Sequence, residues 1–103
     1  MITLSDANFE AEVGSSSLPV IVDVWGENCG SCRVMEPVLK QISDEREGQI
    51  KVCKMNLYDS PQTGLRFNIR ALPTFLFFKG GELVARHSGS MSKDGLLRIG
   101  GLL

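Results

Sequence analysis

Pro19-Val20-Ile21-Val22-Asp23-Val24-Trp25-Gly26-Glu27-Asn28-Cys29-Gly30-Ser31-Cys32 decides how this chain is read. Its first half is β-branched at nearly every position and apolar on both faces, and it is too short for a typical helix. That is the composition of a central strand covered on both sides. Asp23 sits inside that strand and is therefore expected to be buried. Gly26 to Gly30 breaks the strand, and from Ser31 the apolar residues Val34, Met35, Val38, Leu39 and Ile42 recur at helical spacing until Glu45-Arg46-Glu47-Gly48. Cys29 thus falls at a helix N-terminus, with Cys32 one turn further in.

The pattern continues on either side. Ser5 and Asp6 offer capping oxygens to a short helix over Ala7 to Val13, which Gly14 ends. Ile50 to Asn56 alternates as a second core strand, and Ser60-Pro61 opens a short helix through Phe67, with proline at its tolerated first position. Thr74 to Lys79, Gly80-Gly81 and Glu82 to His87 form a hairpin signal, because two glycines supply the positive φ of a tight turn. Ser92 caps a closing helix through Ile99, and Gly100-Gly101 weakens its end. Parallel strands joined by helices, followed by an antiparallel hairpin, give an α/β sandwich with a mixed sheet between helices, in one domain over residues 1–103.

Composition narrows the function. Eleven Lys and Arg against twelve Asp and Glu leave a net charge of −1, which lacks the basic footprint of a nucleic-acid or anionic-membrane binder. No apolar run approaches the roughly 18 to 20 residues that span a bilayer. The opening residues show no basic segment leading into an apolar core, so no secretory signal is expected and a cytoplasmic setting is the default. Three cysteines are an odd number and too few for a disulfide-stapled scaffold, and in a reducing compartment they suggest redox or metal chemistry.

Cys29-Gly30-Ser31-Cys32 carries the strongest chemical signal. The unpaired N–H groups and positive dipole end of the helix favour the thiolate of Cys29, making it the attacking sulfur. Cys32, deeper by one turn, is placed to attack the mixed disulfide that Cys29 forms with a substrate. Two other uses of the pair are weaker. A staple closing so short a loop contributes only about 2 kcal/mol before strain. A zinc site needs two further ligands, and only Cys53 and His87 remain, without a second paired spacing. Cys53, in an apolar strand, reads as an inert buried thiol, and His87 as a surface strand residue.

Val22 to Arg33 resembles the active-site segment of the thioredoxin family. So do Leu72-Pro73-Thr74 before a strand, Lys54-Met55-Asn56 ending one, and Phe78-Lys79-Gly80-Gly81-Glu82 at the hairpin, in the right order from about Ile2 to Leu103. The resemblance implies a thioredoxin-like three-layer sandwich and a protein-disulfide reductase. It makes Pro73 a cis-proline beside the dithiol and gives Leu72 a backbone pairing with substrate. It makes Asp23 the buried acid that moves a proton to or from Cys32, with Lys54 close to it. Substrate contact falls by the same likeness to Trp25, Gly30, Ser31, Leu72, Pro73 and Gly89.

The chain departs from the family pattern in three places. Asn28 stands where an aromatic residue usually precedes the first cysteine. Gly30-Ser31 replaces Gly-Pro, so Ser31 adds a backbone N–H that favours the thiolate while loosening the loop. Cys53 is an additional thiol. The expected protein is a monomer that binds no cofactor, since no Gly-x-Gly-x-x-Gly fingerprint is present and electrons must arrive through a partner reductase of the thioredoxin-reductase type. Two rivals are a binding module in which the dithiol is incidental, and a disulfide oxidase or isomerase.

Overall fold

A computed structural model describes all residues, 1–103. Five strands, β1 (Ile2–Leu4), β2 (Val20–Trp25), β3 (Lys51–Asn56), β4 (Thr74–Lys79) and β5 (Glu82–Ser88), form one sheet in the order β1-β3-β2-β4-β5. β3 runs parallel to both β1 and β2, whereas β4 is antiparallel to β2 and β5. Three α-helices, α1 (Gly30–Glu45), α2 (Pro61–Arg66) and α3 (Lys93–Ile99), lie in the crossovers and at the end of the chain. This is the expected mixed-sheet sandwich, and β2 is its central strand.

Side-chain alternation divides the interior into two cores. Val20, Val22 and Val24 point with Cys53, Met55, Leu76 and Phe78 toward Phe9, Val13 and the segment containing α2. Ile21 points with Val52, Phe75 and Phe77 toward Met35, Leu39 and Ile42 of α1 and Leu96 and Leu97 of α3. The register Asp23↔Lys54 and Asp23↔Phe75 places Asp23 in this second set. The hairpin turns on Gly80 and Gly81, whose φ values of 59° and 80° suit the twist of the flanking strands.

Four sequence expectations change. β1 is a strand that three residues are too few to announce; its parallel pairing with β3 supplies the signal. The Ala7–Val13 helix is instead a turn leading into a π-helical segment, Glu10–Gly14. Asp6 does not cap that segment: its carboxylate accepts from the Gln62 and Thr63 N–H groups and the Thr63 hydroxyl at 3.1, 2.8 and 2.7 Å, thereby capping α2 from across the fold. These bonds hold the Asp6 carboxyl below its ordinary value. Val34 leaves the apolar stripe and is 67% exposed, while Cys32 and Met35 beside it are buried. The hydroxyl of Ser92 caps α3 as expected, accepting from Gly95 N–H at 3.1 Å.

Candidate active site

The sulfurs sit where β2 gives way to α1. Cys29 has extended backbone and is the N-cap of α1; its Sγ accepts from the Cys32 N–H at 3.2 Å. One orphan donor of the helix start is thereby spent on the sulfur. The two cysteines form a disulfide with Cα atoms 5.3 Å apart. Cys29 remains half-buried while Cys32 is buried, so a partner reaches the first sulfur and not the second. The Ser31 hydroxyl lies 3.6 Å from Cys29 Sγ, a contact additional to the backbone N–H expected of Ser31. Gly30 and Ser31 are both exposed. Asn28, just before the pair, adopts φ 60°, a left-handed conformation that asparagine tolerates better than a bulky aromatic.

Beneath the sulfurs, Asp23, Trp25, Cys32, Glu36 and Lys54 line one cleft of about 360 Å³. Asp23 is 3% exposed, and its Oδ1 is buried with no hydrogen-bond partner. Burial pushes its carboxyl up to about 7; the Lys54 ammonium pulls the other way and the Glu36 carboxylate adds to the rise. Lys54, adjacent to Asp23 in register, bonds to Glu36 at 2.7 Å and lies 5.4 Å from the Trp25 ring centroid. Its charge is thus held between a carboxylate and an aromatic face rather than paired with Asp23. Glu36 escaped the sequence reading, although its position four residues after Cys32 on α1 puts it on the same helix face one turn on.

The antiparallel register Val24↔Thr74 brings Pro73 to the same end of the sheet. The Leu72–Pro73 bond is cis, as the resemblance implied. A Cβ on Gly26 would stand 2.7 Å from a terminal methyl of Leu72, so the loop before Cys29 passes close to the residue before the cis-proline. Gly89, at φ 97°, donates its N–H to the Pro73 carbonyl at 2.9 Å. Trp25, Leu72, Pro73 and Gly89 therefore converge with Gly30 and Ser31 on one end of the sheet. His87 is half-buried on β5, with Nε2 shut from solvent and unpartnered, a correction to its reading as a surface residue. Cys53 points into the opposite core, fully buried, and burial lifts its thiol to about 12.

A redox-active pair at a helix N-terminus, one sulfur accessible and one covered, with a cis-proline entering beside it on a mixed sheet, defines a thiol-disulfide oxidoreductase. Comparison with known proteins agrees. The Thioredoxin family model matches residues 1–99. A thioredoxin of Synechocystis sp. is 43% identical over 93 residues, 90% of this chain and 87% of that protein. A thioredoxin of Rickettsia conorii is 42% identical over 92 residues (89% and 88%), and one of Pseudomonas aeruginosa 36% over 96 residues (93% and 89%). The chain belongs to the thioredoxin family, and it reduces protein disulfides through Cys29 and Cys32.

Proposed function

We propose a cycle in which each residue of the site has one task. The Cys29 thiolate attacks one sulfur of a substrate disulfide, forming a mixed disulfide and expelling the other substrate sulfur as a thiolate, which takes a proton from water. Asp23 then accepts the Cys32 proton through water in the shared cleft, and the Cys32 thiolate attacks Cys29 Sγ, expelling the second substrate sulfur as a thiolate, which is also protonated from water. Two electrons have moved: the substrate disulfide has become two thiols and the protein dithiol has become a disulfide. A partner reductase of the thioredoxin-reductase type restores the dithiol.

Lys54 moderates the charge on Asp23. The Leu72 backbone and Pro73 receive an extended substrate strand, with Trp25, Gly30, Ser31 and Gly89 around it. The observation that carries this reading is the Cys32 N–H donating to Cys29 Sγ at 3.2 Å, since a donor fixed on that sulfur stabilises it as a thiolate.

On this reading the chain works as one domain over residues 1–103, as a cytoplasmic monomer whose partners are proteins rather than nucleic acid or membrane. The net charge of −1 supports it, and no helix is long and apolar enough to cross a membrane. The deciding experiment has two parts. Replacing both Cys29 and Cys32 by serine should abolish reduction of disulfide substrates; retention of the full activity would make the dithiol incidental. The reduction potential of the couple should lie on the reducing side of a glutathione-buffered compartment, each 30 mV being about 1.4 kcal/mol; a potential as oxidising as a periplasmic disulfide donor's would assign it to oxidation instead.

A further inference from the structure

A second feature adjoins the sulfurs and takes no part in the cycle above. Asn28 is exposed and presents an amide on the approach to Cys29. Tyr58, on the 3-10 turn Leu57–Asp59 that follows β3, is 73% exposed and shares a cleft with Asn28. A Cβ on Gly26 would lie 3.4 Å from the Tyr58 ring as well as against Leu72. The Gly26 backbone is therefore the floor between the two, and Tyr58 and Leu72 belong to one continuous surface.

Three clefts share walls along this surface. The catalytic cleft ends on Glu27 and Asn28. Those two residues, with Tyr58 and Asp59, line a second cleft of about 320 Å³. Tyr58 is also a wall of a third, about 350 Å³, whose apolar lining includes Leu57 and Leu65. Leu65 is 81% exposed. A tyrosine and a leucine left open side by side forgo burial of their apolar surface, which a seated partner would supply. Glu27 and Asp59 have no ion-pair partner. Both face the middle cleft, and no Lys or Arg lines it. Leading away from the sulfurs, the trough presents carboxylates, then an aromatic face, then an apolar groove.

We infer that this trough docks one flank of the disulfide substrate: an extended segment with a Lys or Arg near its reacting cysteine and an apolar side chain further out. The inference rests on the reductase reading, because the substrate sulfur must lie over Cys29 for its flank to enter the trough. The basic side chain meets two carboxylates and the Tyr58 face, and the apolar one covers Leu57 and Leu65. A small disulfide reaches none of these groups, so the trough separates peptide substrates from small ones.

The test uses disulfide-bonded peptides with Lys and Leu placed at successive offsets on one flank, the same peptides with Gly at both places, and hydroxyethyl disulfide. Wild-type protein should reduce the best Lys-Leu peptide with kcat/KM about tenfold above its Gly counterpart, a difference of about 1.4 kcal/mol, mostly in KM. Tyr58→Ala with Leu65→Ser should bring that ratio within about twofold while hydroxyethyl disulfide is reduced as before. Glu27→Gln with Asp59→Asn should remove the Lys contribution and its salt dependence. All four side chains are exposed or lie on exposed turns, so the fold is not at risk. Equal rates for Lys-Leu and Gly peptides at every offset, or an undiminished ratio in the Tyr58/Leu65 variant, would overturn the inference. Binding of S-methylated peptides to the Cys29→Ser/Cys32→Ser protein, followed by the amide shifts of residues 57–65, tests the trough without turnover. The Lys-Leu preference should persist there; its absence overturns the docking site, whereas its persistence together with a wild-type protein that reduces none of the peptides would overturn only the reductase reading.

Discussion

Val22 and Asp23 are neighbours on β2, and Cys53 and Lys54 are neighbours on β3, yet the two rows belong to different chemical worlds. Val22↔Cys53 points into the core shared with Phe9, Leu76 and Phe78. Asp23↔Lys54 points to the face that α1 covers, at the end where α1 begins. One residue along a strand exchanges faces. The row that meets only hydrocarbon holds a thiol lifted to about 12; the row that meets a helix N-terminus and a water-accessible cleft holds Asp23, the proposed proton carrier. Reactivity here is a property of the face, and the cysteine side chain by itself confers none.

Thiol labelling tests that contrast most severely. In the reduced protein at neutral pH, brief iodoacetamide treatment mapped by mass spectrometry should modify Cys29 faster than Cys53 by on the order of a thousandfold or more, since only the thiolate reacts and Cys53 is both protonated and covered. Cys32 should fall between them. Comparable labelling of all three would erase the distinction between the faces.

Asp23→Asn probes the reactive row through both stability and rate. Burial raises the folded carboxyl from 3.8 to about 7 while the unfolded chain keeps the ordinary value, so the folded state holds the proton more tightly between those pH values. Asp23 therefore lowers stability progressively as pH rises from about 4 to 7, by on the order of 4 kcal/mol once above that range. Urea unfolding of the oxidised protein at pH 4.5 and pH 8 should show the variant gaining on wild type at the higher pH. Single-turnover reduction of a disulfide should at the same time show slower release with attack little changed. A variant that matches wild type in both steps at every pH leaves Asp23 a purely structural acid.

Smaller effects belong to the apolar row and to the distant cap. Cys53→Ser places a hydroxyl among Val22, Met55 and Leu76 and should cost about 1 to 3 kcal/mol in denaturant unfolding, leaving the reduction potential unchanged; a shifted potential would show that the two faces communicate. Asp6→Ala removes the cap of α2 and should lower Tm slightly, while turnover of small disulfides stays at the wild-type rate.

Much of this was legible in the residues. The strand with its buried Asp23, the break at Gly26, the helix opening at Cys29 and the Gly80-Gly81 turn are local patterns with local causes, and the fold repeats them. The resemblance carried by Leu72-Pro73-Thr74 extended that reading to a cis bond, which no local pattern announces. Capping is legible only from the nearest helix, whereas the Asp6 carboxylate finds its donors on residues 62 and 63. β1 is silent in the sequence for the same reason: its pairing is with β3, far along the chain.

The sequence by itself determined the order of elements, the dithiol at a helix start and the burial of Asp23, because periodicity, turn chemistry and capping act over a few residues. Only the tertiary structure decided that Lys54 is held by Glu36 rather than by Asp23, that Cys53 faces away from the sulfurs, that Gly89 is tied to Pro73 and that Tyr58 stands beside the active-site loop. Each of these depends on strand register and helix placement, which are settled by packing across the whole core, so no window of sequence contains them.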